Sequence, residues 1–192
     1  LLKGFLKEAD VADKRTVALA LDSIPLALQS DFEALLQLHS YDAIEATLYK
    51  LWKFFPEKRT EYLEKTEGIY GHRNFNVRQL WLVLALVTDD FRPADKPGFY
   101  EELTAYTGDY FSYPSRQTAF QYLYDLQLIG PIYLDNLLSA TRHWVWQFSK
   151  DAKEKLKNLI LDPDYKNYYQ QNLAKFKPAE QTYLKSLLSD KK

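Results

Sequence analysis

The sequence predicts an all-α fold, an α-solenoid of stacked antiparallel helix pairs of the HEAT or armadillo kind. It comprises about five hairpins and a C-terminal capping segment. Three observations carry this. Apolar residues recur at helical spacing, as in Ile44, Thr47, Leu48, Leu51, Trp52 and Phe55. Gly 6 and Pro 8 are few for 192 residues, which favours long regular elements over a turn-rich β architecture. No Asn-Gly or Asp-Gly hairpin turn and no sustained two-residue alternation occurs.

The prolines punctuate the pattern. Pro56, Pro93, Pro97, Pro114, Pro131, Pro163 and Pro178 fall between the apolar-periodic segments, as residues disfavoured inside a helix should. Pro25 lies within the first apolar segment and predicts a break there. A first pair of helices is expected over about Tyr41–Phe55 and Glu57–Thr66. A second covers Val77–Val87 and Phe99–Tyr106, and a third Ser115–Leu128 and Ile132–Thr141. A further helix is expected over Val145–Leu161. Asn76/Gln79, Ser30/Glu33 and Asp42/Glu45 have capping-box spacing. Val77-Arg78-Gln79 recurs as Ser115-Arg116-Gln117 at an offset of 38 residues, and Ile44-Glu45-Ala46 stands 33 residues before Val77-Arg78-Gln79. Repeats of this length built from two helices stack because each hairpin has a face it cannot bury alone. Thr16–Leu38 reads as one more hairpin, broken near Ser30. The polar, Tyr-rich stretch from Asp164 reads as a cap ending in a short helix after Pro178 on Tyr183, Leu184, Leu187 and Leu188. The whole is expected as a single domain, with residues 1–40 an N-terminal hairpin, 41–161 the repeats and 162–192 the cap.

Charge and motifs narrow the function. A formal net charge of −1 gives no general basic field for nucleic acid or an anionic membrane. The longest apolar run, Leu80–Val87, has eight residues, too few to span a bilayer as a helix. Cys 0 excludes disulfides and thiolate sites. The chain has no Met and no secretory signal pattern at its start, and so reads as a piece of something longer. His39, His72 and His143 are the only histidines, and none has a second ligand at metal-binding spacing. Nucleophile elbows and phosphate-binding glycine loops do not occur. Glu101-Glu102 and Asp89-Asp90 diverge by about 100° on a helix and read as solvated faces. No catalytic, cofactor-binding or metal residue is therefore expected.

The aromatic residues, 16% of the chain, read first as wedges in the helix seams, filling gaps that Met would otherwise fill. The cluster His143, Trp144, Trp146 and Phe148 is the best candidate for an exposed partner surface. Arg78 and Arg116 share one register at helix starts. They read as rungs that bond carbonyls or acids between repeats, with a peptide carboxylate as the alternative ligand. Possible peptide or partner contacts are thus Arg78, Arg116, His143, Trp144 and Trp146.

Leu51-Trp52-Lys53-Phe54-Phe55-Pro56-Glu57-Lys58-Arg59 followed by Tyr62-Leu63, together with Asn76-Val77-Arg78-Gln79-Leu80-Trp81-Leu82 and Arg116-Gln117-Thr118-Ala119-Phe120-Gln121-Tyr122-Leu123, resembles the C-terminal helical region of bacterial family M1 zinc aminopeptidases. The similarity covers about Ser40 to Ile160. That family's His-Glu-x-x-His zinc motif and Gly-x-Met-Glu-Asn loop do not occur in this sequence. The resemblance therefore implies a non-catalytic C-terminal domain. Zinc would belong to the parent enzyme only, and the partners would be the catalytic domain of the same parent chain and a peptide substrate. The cell envelope is the compartment it implies. A free-standing scaffold for a protein or peptide is the competing expectation. A HEAT-like DNA glycosylase is a third, weakened by the near-zero net charge.

Overall fold

A computed structural model describes residues 22–37, 41–67, 74–91 and 96–189. The regular elements among those residues are all helical, with no strand among them. The chain divides into two compact units, Leu1–Leu103 and Thr104–Lys192. The α-solenoid class is realised as packed helices in each unit.

In the first unit, Pro25 precedes a 3-10 turn, Leu26–Leu28, that leads into α1, Gln29–Leu35. The expected break at Pro25 is thus a helix start. The rest of the expected N-terminal hairpin lies outside the described residues, as do His39, His72 and Pro93. Next come α2 (Tyr41–Phe54), a 3-10 turn at Pro56–Lys58, α3 (Arg59–Glu67), α4 (Phe75–Val87) and α5 (Lys96–Ala105). Helix α2 packs against α1, α3 and α4, and α3 packs against α4. Burial explains the amphipathic spacing: Ile44, Leu48 and Leu51 are fully buried.

Helix α4 is apolar almost all round because it is covered on most sides, with Val77 and Leu80 to Ala85 buried. Its N-cap is Asn74, whose side chain accepts from the N–H groups of Asn76 and Val77. The expected Asn76 cap is therefore corrected by two residues. Ser30 likewise lies inside α1, and no side chain caps that helix. Trp52 Nε1 donates to Thr88 Oγ1 at 2.7 Å, tying α2 to the end of α4.

Glu33 shows what replaced its expected capping role. Its carboxylate accepts from Gln29 Nε2 (3.0 Å), Tyr62 Oη (2.9 Å) and Lys58 Nζ (3.1 Å), joining α1 to α3 and the turn before it. Burial pushes this carboxyl up, but the donors outweigh burial and hold it below the ordinary value of 4.5. A depressed folded-state value means stability present above about pH 4.5 and lost as pH falls through the folded value. Glu33→Gln is therefore expected to flatten the acid limb. Urea unfolding between about pH 3 and 7 should show a smaller loss in the variant than in the native chain. Parallel acid limbs would contradict it.

The second unit runs α6 (Tyr113–Asp125), α7 (Pro131–Ala140), α8 (Trp146–Leu159), α9 (Pro163–Gln171), a 3-10 turn at Leu173–Lys175 and α10 (Pro178–Ser189). Pro131, Pro163 and Pro178 each open a helix, where the missing N–H costs nothing. Just past the end of α6, Gln127 takes φ 55, so that Leu128 N–H reaches the Leu123 carbonyl at 2.9 Å. Helix α7 packs on α8. Helix α9 is new relative to the sequence expectation. The Asp162 side chain caps it, and its Tyr169 Oη donates to the Leu134 carbonyl at 2.8 Å.

Candidate functional site

Arg78 and Arg116 are each the fourth residue of their helix, α4 and α6. Arg78 makes a two-pronged contact with Glu102 on α5, Nε to Oε1 at 2.9 Å and Nη2 to Oε2 at 2.7 Å. Arg116 is 3% exposed. Its Nε donates to the Thr107 carbonyl at 2.9 Å and its Nη2 pairs with Asp109 at 2.7 Å. Its guanidinium also lies 5.2 Å from the Phe148 ring centroid. Both arginines are thus engaged within their own units, Arg78 on an acid and Arg116 on a carbonyl and an acid.

The other three candidates meet at the corner between α7 and α8. Ser149 Oγ donates to the Thr141 carbonyl, and Thr141 Oγ1 donates to the Leu138 carbonyl, pinning the turn at both ends. His143 Nδ1 accepts from the Val145 N–H at 3.1 Å, so its neutral ring carries the proton on Nε2. The imidazole stands edge-on to buried Phe148 at 5.0 Å and stacks on Trp144 at 5.6 Å. Burial, and then the Arg116 charge, lower its pKa below the ordinary 6.5, so it is neutral at pH 7. Trp144 is 86% exposed and Trp146 70% exposed, with Lys150 Nζ 5.1 Å from the Trp146 ring centre. Phe148 is buried and supports the corner from beneath.

Beside these rings lies a groove of about 390 Å³, lined by Thr141, Arg142, His143, Ser149, Lys153, Ala179 and Tyr183. The turn, α8 and α10 supply its walls. Trp146, Lys150 and Lys153 follow i, i+4, i+7 steps on α8, so one helix face carries the exposed ring and leads toward the groove. Its lining contains no acid, and among the described residues neither Arg142 nor Lys153 has an ion pair or side-chain hydrogen bond. Tyr183 Oη is buried and unpartnered among the described residues, and burial raises its pKa, keeping it protonated. A second hollow, between α6 and α8, mixes Asp151, Glu154 and Lys155 with amides. Its Asp151 and Lys155 are already engaged: Gln117 Nε2 donates to Asp151 at 2.6 Å and Lys155 Nζ to Gln121 Oε1 at 2.8 Å.

Sequence reasoning placed the rings but missed Arg142, Lys153 and Tyr183. The Trp146–Lys150–Lys153 stripe was the available signal. Tyr183 comes from thirty residues further along the chain than Lys153. Among the described residues no group of three or more His, Asp or Glu side chains is placed to hold a metal ion. No helix among them is long and apolar enough to cross a membrane. No family model, curated protein or solved structure matches the chain.

Proposed function

We propose that this chain is a non-catalytic helical domain of a zinc metallo-aminopeptidase, one that packs on the catalytic domain and helps enclose the peptide-binding chamber. Zinc and the hydrolytic groups would belong to the parent enzyme. The observation that carries the reading is the pair of exposed rings, Trp144 and Trp146, held on a pinned corner. Two large rings at one rigid place form the kind of surface that another protein surface covers. The motifs behind the resemblance support it from another side. Their Trp52, Arg59, Arg78, Trp81 and Arg116 are residues that fasten one stretch of chain to the next, a structural role. Arg59, for instance, donates from Nε to the Trp52 carbonyl at 2.9 Å.

The test is direct. Purified with added zinc, the chain is expected to release no amino acid from an aminoacyl p-nitroanilide. It should bind the separately expressed catalytic domain of its parent, and a Trp144→Ser/Trp146→Ser pair should weaken that binding about tenfold or more, the usual scale for buried aromatic anchors. Zinc-dependent release by the chain alone would overturn the reading, as would a full-length gene without an encoded His-Glu-x-x-His domain.

The groove favours a second reading, a free-standing scaffold that holds a protein or peptide partner. Its two cations, unpaired among the described residues, are poised for a ligand from outside the unit. The same gene sequence separates the two readings.

A further inference from the structure

We propose that the groove between the Thr141–His143 turn, α8 and α10 is a binding site for an acidic peptide segment. Arg142 and Lys153 would hold its carboxylates, and the Trp144 and Trp146 rings would cover the apolar side chain between them. Such binding rests on the second reading, the free-standing scaffold, because rings covered by a catalytic domain would not be open to a peptide; the gene sequence tests that reading separately from the titration below.

Three independent features converge on that ligand. The first is charge: the lining has two cations and no acid, and the one imidazole there is neutral at pH 7, so the groove attracts anions without internal competition. A guanidinium beside an ammonium suits carboxylates, which the former can take with two hydrogen bonds and the latter as a point charge. The second is an unmet hydrogen bond. Tyr183 Oη is buried in the wall with no partner among the described residues, an unfavourable state that a ligand acceptor drawn into the groove would relieve. The third is the ledge. One face of Trp144 is stacked on His143 while the side chain as a whole stays 86% exposed, leaving its other face for an apolar group. A nucleic-acid strand fits less well. It needs a track of cations along successive phosphates, whereas two cations serve a short acidic stretch, and the chain as a whole carries −1.

The experiment is calorimetric titration of the intact chain with the acetylated, amidated pentapeptide Glu-Glu-Leu-Glu-Glu. The controls are its Lys-Lys-Leu-Lys-Lys counterpart and a uridine pentanucleotide. The acidic peptide is expected to bind, and to bind at least about threefold more weakly when salt rises from about 0.05 to 0.3 M, as screening dictates. Arg142→Gln/Lys153→Gln should lose about tenfold or more in affinity with an unchanged unfolding midpoint, because both side chains are exposed and unpaired among the described residues. Tyr183→Phe should lose severalfold by the same titration and serves as a second variant. No binding at millimolar peptide would overturn the proposal. So would equal binding of the basic peptide, tighter binding of the oligonucleotide, or full affinity in the double variant.

Discussion

Trp81→Ala is expected to lower the unfolding free energy of the first unit by about 3–5 kcal/mol, the upper end of what one core truncation costs. The side chain is 2% exposed at the centre of α4. Its ring meets Phe91 at 5.9 Å and Phe99 at 5.1 Å, both edge-on, the arrangement that aromatic quadrupoles favour. Arg78 lies over it at 4.8 Å. Its Nε1 donates to the Leu63 carbonyl at 3.0 Å, so one residue links α4 to α3 and to α5. Truncation removes the buried area, opens a cavity among rings that cannot collapse into it, and takes away one donor. Trp81→Phe separates the contributions. It keeps most of the ring and loses the hydrogen bond, so it should cost about 1–2 kcal/mol. Urea unfolding followed by far-ultraviolet circular dichroism measures both. A Trp81→Ala loss under about 1 kcal/mol would mean that the seam does not depend on this ring.

Asp109→Ala comes second, at about 1–3 kcal/mol in the second unit. Breaking a fully buried ion pair costs more, but here only one partner is buried. Arg116 is 3% exposed while the Asp109 side chain is 67% exposed, so the two deletions are unequal. Removing the acid leaves a guanidinium in the interior with the Thr107 carbonyl and the Phe148 face. Burial already lowers the pKa of that group while Asp109 opposes the shift, so the loss falls on a charge with little other compensation. Removing both, as Asp109→Ala/Arg116→Met, should recover part of the cost, because no buried charge then remains. A double-mutant cycle on unfolding free energies reads the coupling directly. An Asp109→Ala variant within about 0.5 kcal/mol of the native chain would show that the pair contributes nothing.

Much of this was legible from sequence, for identifiable reasons. Periodicity located the helices because burial sorts residues by face. The prolines at 131 and 178 marked starts because their fixed φ suits a first turn. Helix ends were less legible. Asn74 and Asn76 are chemically equal as caps, and only the chain path decides between them. Pro97 looked like a boundary yet lies in the first turn of α5, where proline is tolerated. Helix α9 was hidden by its polarity. Its tyrosine hydroxyls anchor it to α7, as where Tyr168 Oη meets Asp135 at 2.8 Å, and no hydropathy pattern records such bonds. The exposed rings could be named from sequence because two tryptophans so close together on a polar helix start are conspicuous. The groove could not, since Lys153 and Tyr183 are neighbours only after α10 has come to rest beside α8.

The contact between Arg78 and Glu102 has a mechanical corollary. Greasy helix surfaces can slip past each other by a turn and still find leucine against leucine. A planar fork gripping both oxygens of one carboxylate accepts a single alignment. That bond indexes α5 against α4 as a key indexes a shaft, so the seam resists sliding even where its apolar packing alone would permit it.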